Sequence, residues 1–228
     1  MNPSSQEQKW QRRKEDRPAE IMAAGLEVFS ERGFAAARLE DVAEVAGVSK
    51  ATIYLYFESK ADLFAAIVRE IATPRFDEIE KLLDSYEGSS AELLNFVIGK
   101  LKDLTATTPL PSLAKIILSE ASNFPEIRDF YRDNVVERGF RNIGRIVERG
   151  IARGEFRPCN VNAAVQAIAF PILLNTIARN TFGELPQLDP DGFFTAHAEF
   201  VMRDLAADRD CLLYTYPSPR DRTRPRMP

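Results

Sequence analysis

The stretch LEDVAEVAGVSKATIYLYF, residues 39–57, constrains the fold of this chain more than any other. Two short segments with apolar periodicity meet at one glycine, Gly47, which can adopt the positive φ of a sharp turn. Ala43 is small enough to lie where two helices cross at a steep angle. The apolar residues that can hold the pair together from both sides are Val42, Val48 and Ile53. The pattern predicts a helix-turn-helix over residues 38–57.

The second helix of this pair, expected over residues 49–57, has a distinct outer face. Ile53 and Phe57 are four residues apart, so both point toward the core. Ser49 can act as the N-cap by accepting a backbone N–H, which leaves the amino end of the helix pointing outward, where an anion can approach it. The side chains left outside are Lys50, Ala51, Tyr54 and Leu55, flanked by Thr52 and Tyr56.

This outer face combines a cation, hydroxyl groups and apolar groups, which suits the major groove of DNA. Lys50 and Thr52 can each contact a base edge or a phosphate, and Ala51 or Leu55 can contact a thymine methyl. The two tyrosines have the reach to hydrogen-bond phosphates on either side. The alternative is that their rings pack on the first helix and only their hydroxyls reach the surface, and both can hold together. Glycine-hinged helix pairs also occur in proteins that never contact DNA.

Size and composition indicate a globular protein, because 228 residues of which 45% are hydrophobic can bury a core. Cys159, Cys211 and His197 are its only cysteines and histidine, so we expect no disulfide framework, no metal site, no cofactor and no histidine-based catalysis. The amino terminus is polar and no run of about 18 apolar residues stands out, so we expect a cytoplasmic protein without membrane association. The formal charge of −4 means that DNA contacts must come from a local patch.

One basic patch lies in residues 1–16 and at the residue that follows, although Glu15 and Asp16 dilute it. Its cations are Lys9, Arg12, Arg13, Lys14 and Arg17. A flexible, solvated arm and an arm that contacts phosphates are equally compatible with this composition.

The periodicity of the remaining sequence predicts an all-α fold. A first helix is expected from Arg17 to Arg32, with Pro18 in its first turn and Gly33 at its end. After the helix-turn-helix, a long amphipathic helix follows, disturbed at Pro74. Further helical patterns cover residues 91–106, 112–122, 124–153, 160–181 and 190–207. No segment has the alternation of a strand.

The last residues, 209–228, abandon this periodicity for a composition rich in proline and arginine, which predicts a disordered tail. Their core, CLLYT followed by PSPRD, also resembles the translation of a sequencing-library adapter. Residues from about 211 onward are therefore expected to be artefactual and are left out of the fold.

The amino-terminal third resembles the DNA-binding domain of the TetR/AcrR family of bacterial transcription regulators. The resemblance covers about 17–67 and lies in FSERGF and DVAEVAGVSKATIYLYFESK. It implies a three-helix DNA-binding domain over 17–67, with Ser49, Lys50, Ala51, Thr52, Tyr54, Leu55 and Tyr56 at or beside the groove. It also implies that Lys60, near the start of the next helix, contacts a phosphate.

The chain departs from the family pattern just before the helix-turn-helix. The family usually has Thr or Ser there, which caps the first motif helix and contacts the DNA backbone, whereas this chain has Ala37 followed by Arg38. Loss of such a cap typically costs about 1 kcal/mol. Arg38 can restore a phosphate contact through its charge.

The rest, 68–208, looks like the ligand-sensing half of AcrR-type and AefR-like members, which implies a helical regulatory domain that holds a small molecule and dimerises through its last two helices. The segment 160–181 is apolar around most of its circumference, which suits a helix buried on one side by its own domain and on the other by a second copy. A central core helix in a monomer is the alternative. Pro171 is expected to kink this helix.

These features predict a repressor that binds a palindromic operator in double-stranded DNA as a homodimer and is released by a small-molecule effector of unknown identity. The helix that begins near Ser59 is the expected moving part. The side chains considered for an effector cavity, each of which also suits an ordinary core position, are Phe96, Leu118, Phe124, Phe130 and Phe170.

Two other functions remain open. One is a helical ligand-binding protein or enzyme that keeps the fold without binding DNA, although the sequence has no readable cluster of acid, base and nucleophile and we expect no enzyme. The other is a dimerisation module whose basic arm binds an acidic partner.

Overall fold

The structure, a computed structural model, describes residues 5–183 and 189–207. The predicted disordered tail, 209–228, lies outside the described residues. Ten α-helices and one π-helical turn make up the described part of the chain, which contains no strand. The helices are α1 Ser5–Ala36, α2 Leu39–Val45, α3 Lys50–Tyr54, α4 Lys60–Ser85, α5 Ser90–Thr107, α6 Leu110–Glu120, α7 Pro125–Tyr131, α8 Glu137–Ala152, α9 Val161–Phe182 and α10 Pro190–Leu205, with the π-helical turn Arg132–Val136 between α7 and α8.

The boundaries of α1 and α3 differ from the sequence prediction. α1 begins at Ser5, so the backbone of 5–16 is helical, and Pro18 lies inside the helix. The predicted stop at Gly33 is confirmed, because its backbone leaves the helical region there (φ 75°, ψ 161°); the bounds of α1 include a short helical piece beyond this kink, up to Ala36. α3 ends at Tyr54, and hydrogen-bonded turns continue the chain to Phe57.

Two long helices contain an internal proline and continue through it. α4 spans Pro74 and α9 spans Pro171 without a break in helical assignment. Ser59 caps α4 by accepting the backbone N–H of Asp62 at 3.1 Å. α4 therefore joins the helix-turn-helix directly to the rest of the chain as one element.

The apolar core forms two clusters. The first, here the DNA-side core, combines α1–α3 and the first half of α4 with residues of α6 and α7, such as Leu113 and Ile127. The second, here the bundle core, joins the end of α4 to α5, α8, α9 and α10. The packing is therefore continuous across the domain boundary expected between residues 67 and 68, because α6 and α7 belong to the same core as the helix-turn-helix.

Arginines of α8 fasten the second half of α4. Arg138 donates to both carboxylate oxygens of Glu80 at 2.7 Å and also bonds to Asp77. These bonds raise the pKa of Arg138 and lower that of Glu80. Further along, Arg145 bonds to Asp84 at 2.6 Å. α4 is thus fixed to α8 by charge-assisted hydrogen bonds along several turns.

α9 is long and apolar, although polar residues such as Asn162, Gln166 and Arg179 interrupt its apolar sequence. By length and composition, Val161–Phe182 could cross a membrane, with a mean hydropathy of 1.6. In the structure α9 packs on α8, α6 and α10. It is joined to α10 by His197, whose Nε2 lies 2.9 Å from the carbonyl oxygen of Ile168. The single histidine therefore has a structural role between two helices.

Candidate nucleic-acid interface and the cavity behind it

α3 is anchored by the residues that the sequence assigned to its inner side. Ile53 is fully buried and Phe57 is 6% exposed. Gly47 has the positive φ (63°) that the turn requires, and an added Cβ would meet no atom within 4 Å there. Ser49 caps α3 by accepting the backbone N–H of Thr52 at 3.1 Å. The helix-turn-helix geometry expected from the sequence is present.

The outer side of α3 and its last turn carries the predicted contact residues. Tyr54 is 49% exposed and Leu55 is 81% exposed, so two adjacent large side chains face solvent here. Lys50 and Ala51 are also exposed. Thr52 is half-buried and its hydroxyl lies 2.8 Å from that of Ser49, so the two hydroxyls satisfy each other.

Tyr56 faces inward more than its neighbour in the same turn. It is half-buried and packs against the DNA-side core, whereas Tyr54 projects into solvent beside Lys50, whose ammonium lies 5.8 Å from its ring. The ring of Tyr56 therefore packs on the core, which is the alternative considered for both tyrosines, whereas the ring of Tyr54 is exposed and can contact a ligand.

An acidic side chain, which the sequence gave no reason to select, lies beside this face. Glu40 of α2 forms an ion pair with Lys50. The hydrogen bond lowers the pKa of Glu40 and raises that of Lys50. A phosphate that binds Lys50 must compete with Glu40, so the pair holds the cation in place and weakens its attraction for an anion.

Arg38 stands at the N-cap of α2 without a side-chain cap, and Asp41 compensates in part. Asp41 accepts the backbone N–H of Arg38 at 3.0 Å, and its other carboxylate oxygen lies 2.8 Å from Arg32. The side chain of Arg38 itself is exposed on the side of the motif where α2 begins. Its placement is compatible with a phosphate contact.

Lys60 is placed differently from the expectation of a phosphate contact. Its ammonium donates to the backbone carbonyls of Phe34, Ala35 and Ala37, at 3.2 Å and 2.9 Å for the last two. It also lies 4.5 Å from the centre of the Phe34 ring. Partial burial lowers the pKa of Lys60. All three of its protons have acceptors within the protein, so Lys60 ties the end of α1 to α4.

An apolar cavity of about 160 Å³ lies between α4, α5, α6, α8 and α9. Among the residues that the structure describes, no charged side chain lines it. Its walls include Phe76, Ala114, Tyr131, Phe140, Phe170 and Thr176. Of the five side chains considered from sequence, the cavity is lined by Phe170 alone. Phe96 and Leu118 are exposed, and Phe124 and Phe130 pack against the DNA-side core.

α6 connects this cavity to the helix-turn-helix. Near its start, Ala114 lines the cavity, and at its end Glu120 accepts the backbone N–H of Ala35 at 3.4 Å. Just beyond α6, the Phe124 ring packs edge-on against Phe34, with ring centres 4.9 Å apart. No cluster of three or more potential metal ligands occurs in the described part of the chain.

These features define a class. A capped, glycine-hinged helix pair with an exposed second helix, joined by one continuous helix to a bundle with its own cavity, is the architecture of a ligand-responsive helix-turn-helix DNA-binding protein. A family model described as bacterial regulatory proteins of the tetR family matches residues 21–67, and one described as the tetracyclin repressor-like C-terminal domain matches residues 87–190. The chain belongs to the TetR family of bacterial transcriptional regulators.

Individual relatives agree with this assignment. The HTH-type transcriptional regulator YfiR of Bacillus subtilis is 28% identical over 154 residues, which are 67% of this chain and 74% of that protein. RutR of Escherichia coli K12 is 49% identical over 51 residues, 22% of this chain and 24% of that protein. The crystal structure of FadR from Bacillus subtilis in complex with stearoyl-CoA has a TM-score of 0.65 at 23% identity and covers 82% of this chain and 98% of that one.

Proposed function

We propose that this regulator binds a palindromic operator in double-stranded DNA as a homodimer, represses transcription there, and is released by a small-molecule effector. The carrying observation is the outer side of α3, where Lys50, Tyr54 and Leu55 are exposed while Ile53 and Phe57 anchor the helix. A phosphate-binding cation beside groups that can contact base edges matches what the major groove offers.

Residue roles follow from this placement. Ala51, Thr52 and Leu55 contact base edges, and Lys50, Tyr54 and Arg38 contact phosphates. Ser49 holds the amino end of α3 in position through its cap. Tyr56 contributes its hydroxyl from the edge of the face. Lys60 acts by keeping the end of α1 in place rather than through a phosphate.

The homodimer is supported by the exposed apolar surface of α9 and α10. Only 17% of the most apolar window of α9 is buried within the protomer. The large exposed apolar side chains there are Phe170, Leu173, Leu174, Phe182 and Phe200. A second copy would cover this surface and set two α3 helices about one DNA turn apart, some 34–36 Å.

Release by an effector is supported by the position of the cavity. α6 contributes both to the cavity wall and to the contact of Glu120 with Ala35, so a ligand that shifts α6 changes the position of the helix-turn-helix. By linkage, such a ligand weakens DNA binding by the same factor by which DNA weakens its own binding. Coupling of about 1–3 kcal/mol changes affinity by roughly 5- to 150-fold. We also propose that this regulator is cytoplasmic, has no catalytic activity and does not associate with membranes.

The DNA proposal is tested by gel-shift titration with the DNA upstream of the gene that encodes the protein. Lys50→Ala should weaken binding across operator variants and reduce the salt slope by about 1, whereas Lys81→Ala, exposed on the far part of α4, should change neither. Thr52→Val should alter the preference among operator variants. Absence of DNA binding at low salt would refute the regulatory function and favour a ligand-binding protein of the same fold that does not bind DNA.

The homodimer is tested by sedimentation of the full chain. Leu174→Glu places a charge on the exposed apolar side of α9 and should give a monomer with weaker operator binding. Leu118→Glu, on the equally exposed leucine of α6, should remain dimeric. A wild-type protein that sediments as a monomer at micromolar concentration would refute the dimer.

A further inference from the structure

Tyr131 is the one polar group of the cavity wall without a hydrogen-bond partner in the described part of the chain. It is 6% exposed, and burial raises the pKa of its phenol, so the hydroxyl keeps its proton. The two threonines of the wall are satisfied within their own helices: Thr105 donates to Lys102 at 2.9 Å and Thr176 donates to Ile172 at 2.7 Å. The proton of the Tyr131 hydroxyl is therefore not used among the described residues of the protein and can be donated to an acceptor that enters the cavity.

The chain places this donor in an irregular element. Tyr131 ends α7, and the π-helical turn Arg132–Val136 follows at once. The turn contributes Val135 and Val136 to the cavity wall. π-Helical turns are rare and occur often at functional sites, because they change which side chains face inward.

The rest of the wall restricts the chemistry of an occupant. Of the described side chains that line the cavity, none is ionisable except Tyr131 itself. A carboxylate or an ammonium there would lose its hydration without gaining a counter-charge. An uncharged, mainly apolar group would replace contacts with water by contacts with Phe76, Phe140 and Phe170.

The volume of the cavity restricts the size of an occupant. An apolar cavity of about 150 Å³ is known to hold a benzene ring. The cavity of about 160 Å³ is therefore large enough for a six-membered ring or a short alkyl chain with one substituent.

We propose that the cavity binds an uncharged, mainly apolar small molecule, or such a part of a larger one, through one oxygen acceptor that receives a hydrogen bond from Tyr131. Its role as an effector rests on the function proposed above, whereas its binding does not. The acceptor is a carbonyl or ether oxygen, since Tyr131 offers a proton.

A matched set of six-membered-ring probes tests this assignment by titration calorimetry of the full chain without DNA. Cyclohexanone carries the acceptor, cyclohexane lacks it, and cyclohexanecarboxylate and cyclohexylammonium carry a charge. The two ions should bind at least about 10-fold more weakly than cyclohexanone. A carboxylate or ammonium that binds more tightly than the ketone would overturn the proposal.

Two kinds of variant locate the binding. Tyr131→Phe should weaken cyclohexanone about 3- to 10-fold and leave cyclohexane within about 2-fold. Ala114→Leu fills the cavity and should abolish binding of both, and Ala169→Leu, on α9, gives the same test if the first variant unfolds. Unchanged cyclohexanone affinity in Tyr131→Phe, or full binding in a folded cavity-filled variant, would refute the site.

Operator binding is measured in parallel, so that the two proposals can fail separately. Tyr131-dependent binding of cyclohexanone by a protein that does not bind DNA would refute the regulatory function and leave this site intact. Operator binding by a protein that fails the probe tests would refute this site and leave the regulatory function intact.

Discussion

Phe124 packs edge-on against Phe34 with ring centres 4.9 Å apart, and this contact joins the loop after α6 to the end of α1. The Phe34 ring also touches Phe29 and Phe64, at 5.4 Å and 5.7 Å, in the middle of the DNA-side core. A side chain from the regulatory half is therefore part of the aromatic cluster under the helix-turn-helix. Movement of α6 cannot leave that cluster unchanged, because cores transmit strain.

Replacing Phe124 should weaken this connection. Phe124→Leu keeps an apolar side chain but loses the aromatic pair, so we expect the free energy of unfolding to fall by about 0.5–1.5 kcal/mol. Urea titration of both proteins measures it. Phe96→Leu, at an exposed phenylalanine of α5, is the control and should stay within about 0.5 kcal/mol. Equal losses in both variants would show that the contact with Phe34 contributes nothing specific.

Lys60 provides a second test, because a structural and a DNA-contacting role predict different salt dependence. Lys60→Met removes the donor shared by Phe34, Ala35 and Ala37, and should lower the free energy of unfolding by about 1–3 kcal/mol. Operator affinity should fall without a change in the salt slope. Gel-shift titration at several salt concentrations measures this. A slope smaller by about 0.9 would instead identify Lys60 as a phosphate contact.

Glu40 should oppose DNA binding through its ion pair with Lys50. Glu40→Gln removes the negative charge and releases the ammonium, so we expect operator affinity to rise on the order of 2- to 5-fold at low salt and the gain to shrink as salt screens the charges. Fluorescence anisotropy with labelled operator measures both. Glu44→Gln, exposed on the same helix, is the matched control and should give a smaller gain. A loss of affinity in Glu40→Gln would mean that Glu40 orients Lys50 for binding.

Tyr131 should make the protein less stable in alkali. Burial raises its pKa in the folded state, so above about pH 10 the unfolded chain loses the phenolic proton first. The free energy of unfolding that depends on this group is thus fully present below pH 10 and falls by about 1.4 kcal/mol per pH unit above it. Urea titrations between pH 9 and 11.5 should show a smaller decline in Tyr131→Phe than in the parent protein. A decline in Tyr131→Phe as steep as in the parent protein would contradict this role of Tyr131.

Several parts of the fold could be predicted because they depend on local sequence. Gly47 supplies the turn and Ser49 the cap, and the period of apolar residues assigns Ile53 and Phe57 to the inner side. The helices of the bundle follow from the same periodicity. The helical backbone of 5–16 was missed, because its composition is that of a solvated arm.

The candidate site could be predicted only in part. The side chains of α3 were selected because helical geometry alone determines which of them share a face. Glu40 and Asp41 were missed because their partners, Lys50 and Arg32, are brought close by the angle between helices. Lys60 was expected to contact a phosphate, because the sequence does not show that the backbone carbonyls of Phe34, Ala35 and Ala37 lie beside its ammonium.

The sequence by itself determined the all-α class, the helix-turn-helix and the outer face of α3, because each depends on residues within a few turns of one another. Only the tertiary structure decided which core α6 and α7 join, which aromatic side chains line the cavity, and which polar groups are left without partners. Those properties arise where distant segments meet. Tyr131 is an example: nothing around it in the sequence sets it apart from other tyrosines, and the packing of α7 on α4 and α6 is what buries it in the wall of the cavity.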